Sequence, residues 1–253
     1  MATPAPTPII DLKAVTVDFG GPPVLDALDL TVAPKEALVV LGPSGCGKSV
    51  LLKTIVSLLR PRTGEVQVFG ERVDDKSEAD LIDLRRRVSY CFQAGALFDS
   101  MTVADNLAYP MREHRSADEG EIQARVEEAL ARVGLEGKGD VMPSDLSGGM
   151  RKRAAFARGV ITRPEVLLYD EPTAGLDPIT ARQINKLMVE LKGSGESAIT
   201  TLMVTHDIEA AMTTGARVAL IEAGKIAFTG SWDEAFASDQ PLLKAFLEGQ
   251  HHG

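Results

Sequence analysis

The sequence predicts an α/β fold: a largely parallel sheet covered on both faces and interrupted by a helical insert. Three observations predict it. The apolar stretch EALVVLG at 36–42 runs directly into a glycine-rich loop and then into the apolar-periodic segment KSVLLKTIVSLL at 48–59, a strand–loop–helix unit. From Val166 onward strand-like and helix-like segments alternate again, through VLLYD, TARQINKLMVELK, AITTLMVTH and RVALIEAGKIAF. Between these parts, from about Met101 to Val160, the apolar spacing is helical.

In chain order, IIDLKAVTVDF and VLDALDLTV read as β-rich openings before EALVVLG. After Pro61 come a strand, EVQVFG, a polar helix across Ser77–Arg87, and the buried-type strand VSYCF. The insert begins with TVADNLAYPMRE. Its middle helix, EGEIQARVEEALARVG, sets Ile122, Val126, Ala129, Leu130 and Val133 on one face and ends at Gly134, and a third helix follows Ser147-Gly148-Gly149. GSGE at 193–196 reads as a turn, and the chain shows no internal repeats.

Composition narrows the function. The 253 residues are 44% apolar and 25% charged, ordinary globular usage. Cys46 and Cys91 lack CxxC or His-rich spacing, which suggests neither a disulfide framework nor a structural zinc site and fits a reducing cytoplasm. MATPAPTPII does not read as a signal peptide, and no apolar run is long enough to span a bilayer, so a membrane role is expected only through a partner. A net charge of −9 argues against non-specific binding to DNA or to anionic lipid surfaces, so no nucleic-acid partner is expected, while leaving room for a local anion site.

Such a site is written at Gly42–Ser49, GPSGCGKS, which fits G-x-x-x-x-G-K-[ST]. Gly42, Pro43, Ser44, Gly45, Cys46 and Gly47 form a loop whose backbone N–H groups can curl around phosphate oxygens, with the helix start at Lys48, Ser49 and Val50 adding its positive dipole end. Lys48 reaches the outer phosphates, and the Ser49 hydroxyl serves Mg²⁺. The strand VLLYDEP then ends in two acids: Asp170 to hold Mg²⁺ through water, Glu171 to polarise an attacking water. Alone, such a pair is also a helix cap or a solvated turn. Ser147-Gly148-Gly149 before MRKRAAFARGV makes a second anion cradle, or an ordinary capped helix.

Together these residues resemble the nucleotide-binding subunits of ABC transporters, over nearly the whole chain. GPSGCGKS looks like the Walker A loop, LLYDE the Walker B strand and LSGGM the signature. Gln93 in YCFQAGALF looks like the Q-loop glutamine, Ala174–Asp177 (AGLD) the D-loop, and His206 in VTHD the switch histidine. Phe19 in VDFGG stands where the family places an aromatic that stacks on adenine.

The resemblance implies one ABC ATPase domain over 1–253, with a RecA-like core and antiparallel β subdomain in 1–100 and 161–253 and a helical subdomain in 101–160. It implies ATP and Mg²⁺ as cofactors, with Lys48, Gln93, Glu171 and His206 catalytic and Ser49, Gln93 and Asp170 around the metal. It also implies a head-to-tail homodimer, in which the Ser147-Gly148-Gly149 turn of one chain closes on the γ-phosphate held by Lys48 of the other, and it makes Asp177 nucleotide-binding.

Bland readings stand beside three of these residues: Gln93 as polar surface, His206 as the cap of the next helix, and Phe19 as core. His251 and His252 read as tail residues. Met150 replaces the glutamine usual after LSGG; a thioether has no N–H to donate, so a packing role is the alternative, and activity is expected to survive.

More narrowly, FQAGALFDSMTVADNLAYPMREH, LSGGMRKRAAFAR and DEPTAGLDPIT resemble the ATPase subunits of MCE-type, or Mla-type, lipid-transfer systems. That implies phospholipid or a related hydrophobic cargo, integral membrane permease subunits, an MCE-domain protein and a small regulatory subunit as partners. It also implies a peripheral location on the cytoplasmic face of the bacterial inner membrane. Gln93–Asp99 would lie beside a groove accepting a short permease helix. The alternatives are an ABC ATPase for an amino acid, ion or drug, a soluble ABC ATPase, and a small-molecule P-loop kinase. The last gives no reason for LSGG, AGLD or VTHD.

Overall fold

The computed structural model describes residues 7–93, 95–114, 117–192 and 198–248. GSGE at 193–196 and the tail histidines His251 and His252 lie outside them.

Two sheets carry the fold. Strands β1 (Ile10–Val17), β2 (Leu25–Val32), β4 (Thr63–Val68) and β5 (Glu71–Arg72) form an antiparallel sheet in the order β2-β1-β4-β5. Strands β3 (Ala37–Leu41), β6 (Val88–Cys91), β7 (Val166–Asp170), β8 (Thr200–Thr205), β9 (Arg217–Glu222) and β10 (Lys225–Ser231) form the second, in the order β10-β9-β3-β8-β7-β6. From β6 to β9 every pairing is parallel, and β10 runs antiparallel on the edge. RVALIEAGKIAF is therefore a hairpin. Its two turn residues, Ala223 and Gly224, both have left-handed backbone (φ 48° and 76°), the geometry that matches strand twist in a two-residue turn.

Every residue of β3, β7 and β8 is buried, as expected of strands covered on both sides. Alternation divides their side chains between two cores. Leu38, Val40, Leu168, Leu202 and Val204 face the antiparallel sheet and helix α1 (Lys48–Ile55). Val39, Leu41, Leu167, Tyr169 and Met203 face a core shared with α3 (Val103–Glu113), α4 (Glu119–Arg132) and α5 (Gly148–Val160). The predicted face Ile122, Val126, Ala129, Leu130 and Val133 is buried in that second core. Helices α6 (Pro178–Lys192), α7 (Ile208–Thr214), α8 (Trp232–Ala237) and α9 (Pro241–Glu248) complete the chain.

Local chemistry shortens two expected helices. The segment predicted over 48–59 stops at Ile55, because Ser57 turns left-handed (φ 53°) and the N–H groups of Leu58 and Leu59 both go to the Lys53 carbonyl. Helix α2 spans Leu81–Arg87 instead of beginning at Ser77: the Ser77 hydroxyl bonds the Asp80 carboxylate at 2.6 Å and accepts its N–H, spending those residues on a side-chain turn.

The three bases after the Ser-Gly-Gly turn each hold a carbonyl of a different segment. Arg151 donates to Leu146 O (2.6 Å), Lys152 to Ala174 O, and Arg153 to Val133 O (2.8 Å) at the end of α4. They fasten α5 to its surroundings. Among the described residues no helix is long and apolar enough to cross a membrane.

Candidate active site

Parallel strands place their functional groups at carboxyl ends, and here β3, β7 and β8 lie side by side. After them come, respectively, the Gly42–Ser49 loop, Asp170 with Glu171, and His206. The loop tolerates little else at its first glycine: a Cβ on Gly42 would stand 2.6 Å from both Cys46 Sγ and Ile221 Cγ2. Gly47 caps α1 in left-handed conformation at φ 103°, where a side chain would be strained.

Lys48, 6% exposed, uses its three ammonium protons inward. Its Nζ donates to Gly42 O (2.7 Å) and Pro43 O (3.0 Å) and stands 3.3 Å from Glu171 Oε1. Ser49 Oγ donates to Asp170 Oδ1 at 2.8 Å. The other carboxylate oxygen, Oδ2, accepts from the Tyr90 hydroxyl at 2.7 Å. Burial, reinforced by that bond, raises the phenol's pKa, so Tyr90 stays a donor.

Asp170 and Glu171 are both buried, which removes the solvated-turn reading. Glu171 has left-handed backbone at φ 49°, costing about 1–3 kcal/mol for a residue with a Cβ. Its N–H is held by Val204 O, and its Oε2 meets His206 Nδ1 at 2.9 Å and the hydroxyl of Thr205 at 3.3 Å. One carboxylate thus joins the lysine to the histidine. His206 does not cap the next helix: Asp207 does, accepting the Ala210 N–H at 3.1 Å.

Ser44, Gly45, Gly47, Lys48, Ser49 and Val50 line a cavity of about 370 Å³ together with Gln93, Glu171 and His206. Gly42, Pro43 and Cys46 support the loop from behind, and burial raises the Cys46 thiol's pKa. Phe19 is 65% exposed, so it is not core; it stands outside the cavity lining, in the segment whose far end, Val24, reaches it. A larger groove, about 690 Å³, opens at the opposite, amino ends of the same strands, beside Lys35, Pro164 and Thr200, and contains none of the phosphate-loop residues.

Ser147, Gly148, Gly149 and Asp177 do not line the cavity. They form a separate face. The Ser147 hydroxyl accepts the Met150 N–H (3.2 Å) to cap α5, and a Cβ on Gly148 would meet open space. Asp177 opens α6, accepting from the N–H groups of Ile179 and Thr180 and from the Thr180 hydroxyl (2.6 Å), which lowers its carboxyl pKa. Thr180 also closes on Gly149, where an added Cβ would be 2.9 Å from its methyl group, so the two helix starts adjoin. Met150 packs its side chain against the core around α3–α5.

Sequence reasoning missed three residues here. Tyr90 sits in a strand that reads as apolar; its hydroxyl was the available signal. Lys152 and Arg158 read as the basic face of a helix. Lys152 holds the Ala174 carbonyl, and Arg158 binds the carbonyls of Gly95 (3.0 Å) and Ala96 (2.8 Å) just after Gln93.

Residues 25–174 match the ABC transporter family. The chain belongs to that family. It is 37% identical over 244 residues to the probable ribonucleotide transport ATP-binding protein mkl of Mycobacterium tuberculosis, covering 96% of this chain and 67% of that protein. It is 36% identical over 241 residues to the intermembrane phospholipid transport system ATP-binding protein MlaF of Escherichia coli, covering 95% and 89%. Among solved structures, a dimeric ATP-binding cassette in a post-hydrolysis state, bound to ADP and Pi, superposes with a TM-score of 0.81 at 31% identity, covering 88% of this chain and 98% of that one. The fold is thus that of an ABC cassette, and the chain is the nucleotide-binding ATPase subunit of an ATP-driven transporter.

Proposed function

We propose that this ATPase powers the movement of phospholipid, or a related hydrophobic molecule, across the bacterial envelope as part of an MCE-type system. The likeness to MlaF along 95% of the chain supports the cargo. Its partners are a second copy of itself, integral membrane permease subunits, an MCE-domain protein and a small regulatory subunit, and its place is the cytoplasmic face of the inner membrane. The chain divides into a core with its β subdomain, 1–100 and 161–253, and a helical subdomain, 101–160.

The observation that carries the chemistry is Glu171 bonded to both Lys48 and His206 beside the phosphate loop. Glu171 orients a water and takes its proton as a new O–P bond forms at the γ-phosphorus and the bridging P–O bond to ADP breaks. Lys48 offsets charge on the phosphate oxygens, His206 holds the geometry, and Phe19 stacks on the adenine. Ser49, Asp170 and Gln93 suit Mg²⁺, which takes hard oxygen donors and one or two carboxylates together with substrate phosphates. Among the described residues no cluster of three or more His, Cys, Asp or Glu could hold a metal by itself, consistent with an ion that depends on the nucleotide. When bound, Mg²⁺ supplies positive charge beside the outer phosphates.

The segment Gln93–Asp99, of which residue 94 is outside the described set, transmits nucleotide state to the permease. Arg158 pins it to α5, and buried Asn106 pins it to α3, accepting from Phe98 N–H at 2.7 Å and donating to the carbonyls of Phe98, Met101 and Thr102. Depletion of the protein should shift the phospholipid content of inner and outer envelope fractions. Unchanged lipids with impaired ribonucleotide uptake would overturn the cargo in favour of the one named for mkl.

A further inference from the structure

We propose that Tyr90 is a positioning residue for the metal site: its hydroxyl fixes the second oxygen of Asp170 and so sets how tightly the site holds a divalent cation. The proposal rests on the reading of Asp170 and Ser49 as metal-side residues.

Asp170 is 4% exposed and has two carboxylate oxygens to satisfy. Ser49 Oγ donates to Oδ1 at 2.8 Å and Tyr90 OH to Oδ2 at 2.7 Å, one from the start of α1 and the other from β6. Without the phenol, Oδ2 would lose the one side-chain donor it has among the described residues, leaving Ser49 on Oδ1. A metal-side carboxylate oriented by a second hydrogen bond presents its other oxygen in a fixed direction, and deleting an outer-shell partner typically weakens metal binding about 10–100-fold.

Tyr90 is itself held. Its strand pairs with β7 in parallel register, Tyr90 opposite Leu168 and Cys91 opposite Tyr169, and its ring packs on Phe92 at 4.2 Å. Gln93, three residues on, lines the cavity. The Tyr90–Asp170 bond therefore ties the strand that delivers Gln93 to the strand that delivers Asp170 and Glu171. A phenylalanine would preserve the packing and lose the tie.

The test uses Mn²⁺ as the probe, with its binding to the full-length protein in the presence of ADP read by electron paramagnetic resonance. Tyr90→Phe should weaken Mn²⁺ binding by about 10-fold or more, while affinity for a fluorescent ADP in EDTA stays within twofold of wild type. Mn²⁺ affinity within twofold of wild type in Tyr90→Phe would overturn the proposal. Asp170→Asn separates the two levels of the argument. Should it abolish Mn²⁺ binding while Tyr90→Phe does nothing, Tyr90 loses its role and the metal site stands; should it bind Mn²⁺ like wild type, the metal site falls and the proposal with it. Equal loss of metal-free ADP binding in Tyr90→Phe would show a merely structural role and also count against it.

Discussion

The two helix starts that offer backbone N–H groups to an anion differ in what surrounds them. At the start of α1, Lys48 meets two loop carbonyls and Glu171, which also meets His206, while Ser49 meets Asp170: an ammonium, an imidazole and two buried carboxylates around one loop. At the start of α5, Ser147 caps its helix, Gly148 faces open space, and the three following bases are turned onto backbone carbonyls. In the proposed mechanism the first does the chemistry and the second holds an anion. A chain that builds one complete cradle and one bare one fits an assembly in which the bare cradle of each copy serves the complete cradle of the other.

The largest expected effect comes from disabling the complete cradle. Glu171→Gln should lower ATP turnover about 10²–10⁴-fold, the usual contribution of general acid–base catalysis, with ATP affinity retained; a steady-state ATPase assay and equilibrium nucleotide binding check both. Turnover like wild type would remove Glu171 from the mechanism.

Gly148→Glu probes the bare cradle without disturbing the fold. A Cβ at this position meets no atom, and an acid in the first turn of α5 favours the helix dipole, yet it sets negative charge against a phosphate. Turnover should fall about 10²-fold, the scale for losing one preorganised anion contact, while nucleotide binding to the isolated chain is unchanged. A loss of that binding would mean the two cradles act within one chain.

Arg158→Ala sharpens the comparison by cutting the link between them, since α5 carries the bare cradle and Gly95 and Ala96 follow Gln93. Leaving those carbonyls without their donor should cost about 1–3 kcal/mol of stability, measured by denaturant unfolding. Met150→Gln should matter least. The Met150 N–H is already held by Ser147 and the partly buried side chain packs at the edge of the core, so a side chain of similar length there should change turnover less than about 10-fold, about 1.4 kcal/mol of barrier. A gain of several orders of magnitude in the ATPase assay would contradict this.

Much of this contrast is legible in the residues. The loop glycines, the apolar strand ending in Asp170 and Glu171, and the Ser147 cap are local patterns, and period and spacing disclose them. What the sequence hides is long-range pairing of polar groups. Tyr90 and Asp170 are 80 residues apart and meet only because β6 lies beside β7. Arg158 and Lys152 look like a solvated helical face until the fold brings carbonyls of distant loops to them. The end of α1 and the start of α2 depart from the pattern for a different reason, since a left-handed Ser57 and a side-chain turn at Ser77 override periodicity. The hairpin at Ala223-Gly224 was hidden by an apolar run that fits strand or helix equally well.

The most direct measurement is the mass in solution of Glu171→Gln loaded with ATP, by sedimentation, alone and combined with Gly148→Glu. Two copies sharing two nucleotides predict a dimer for the single variant and a monomer for the double. A monomer in both, or a dimer in both, would contradict the shared site.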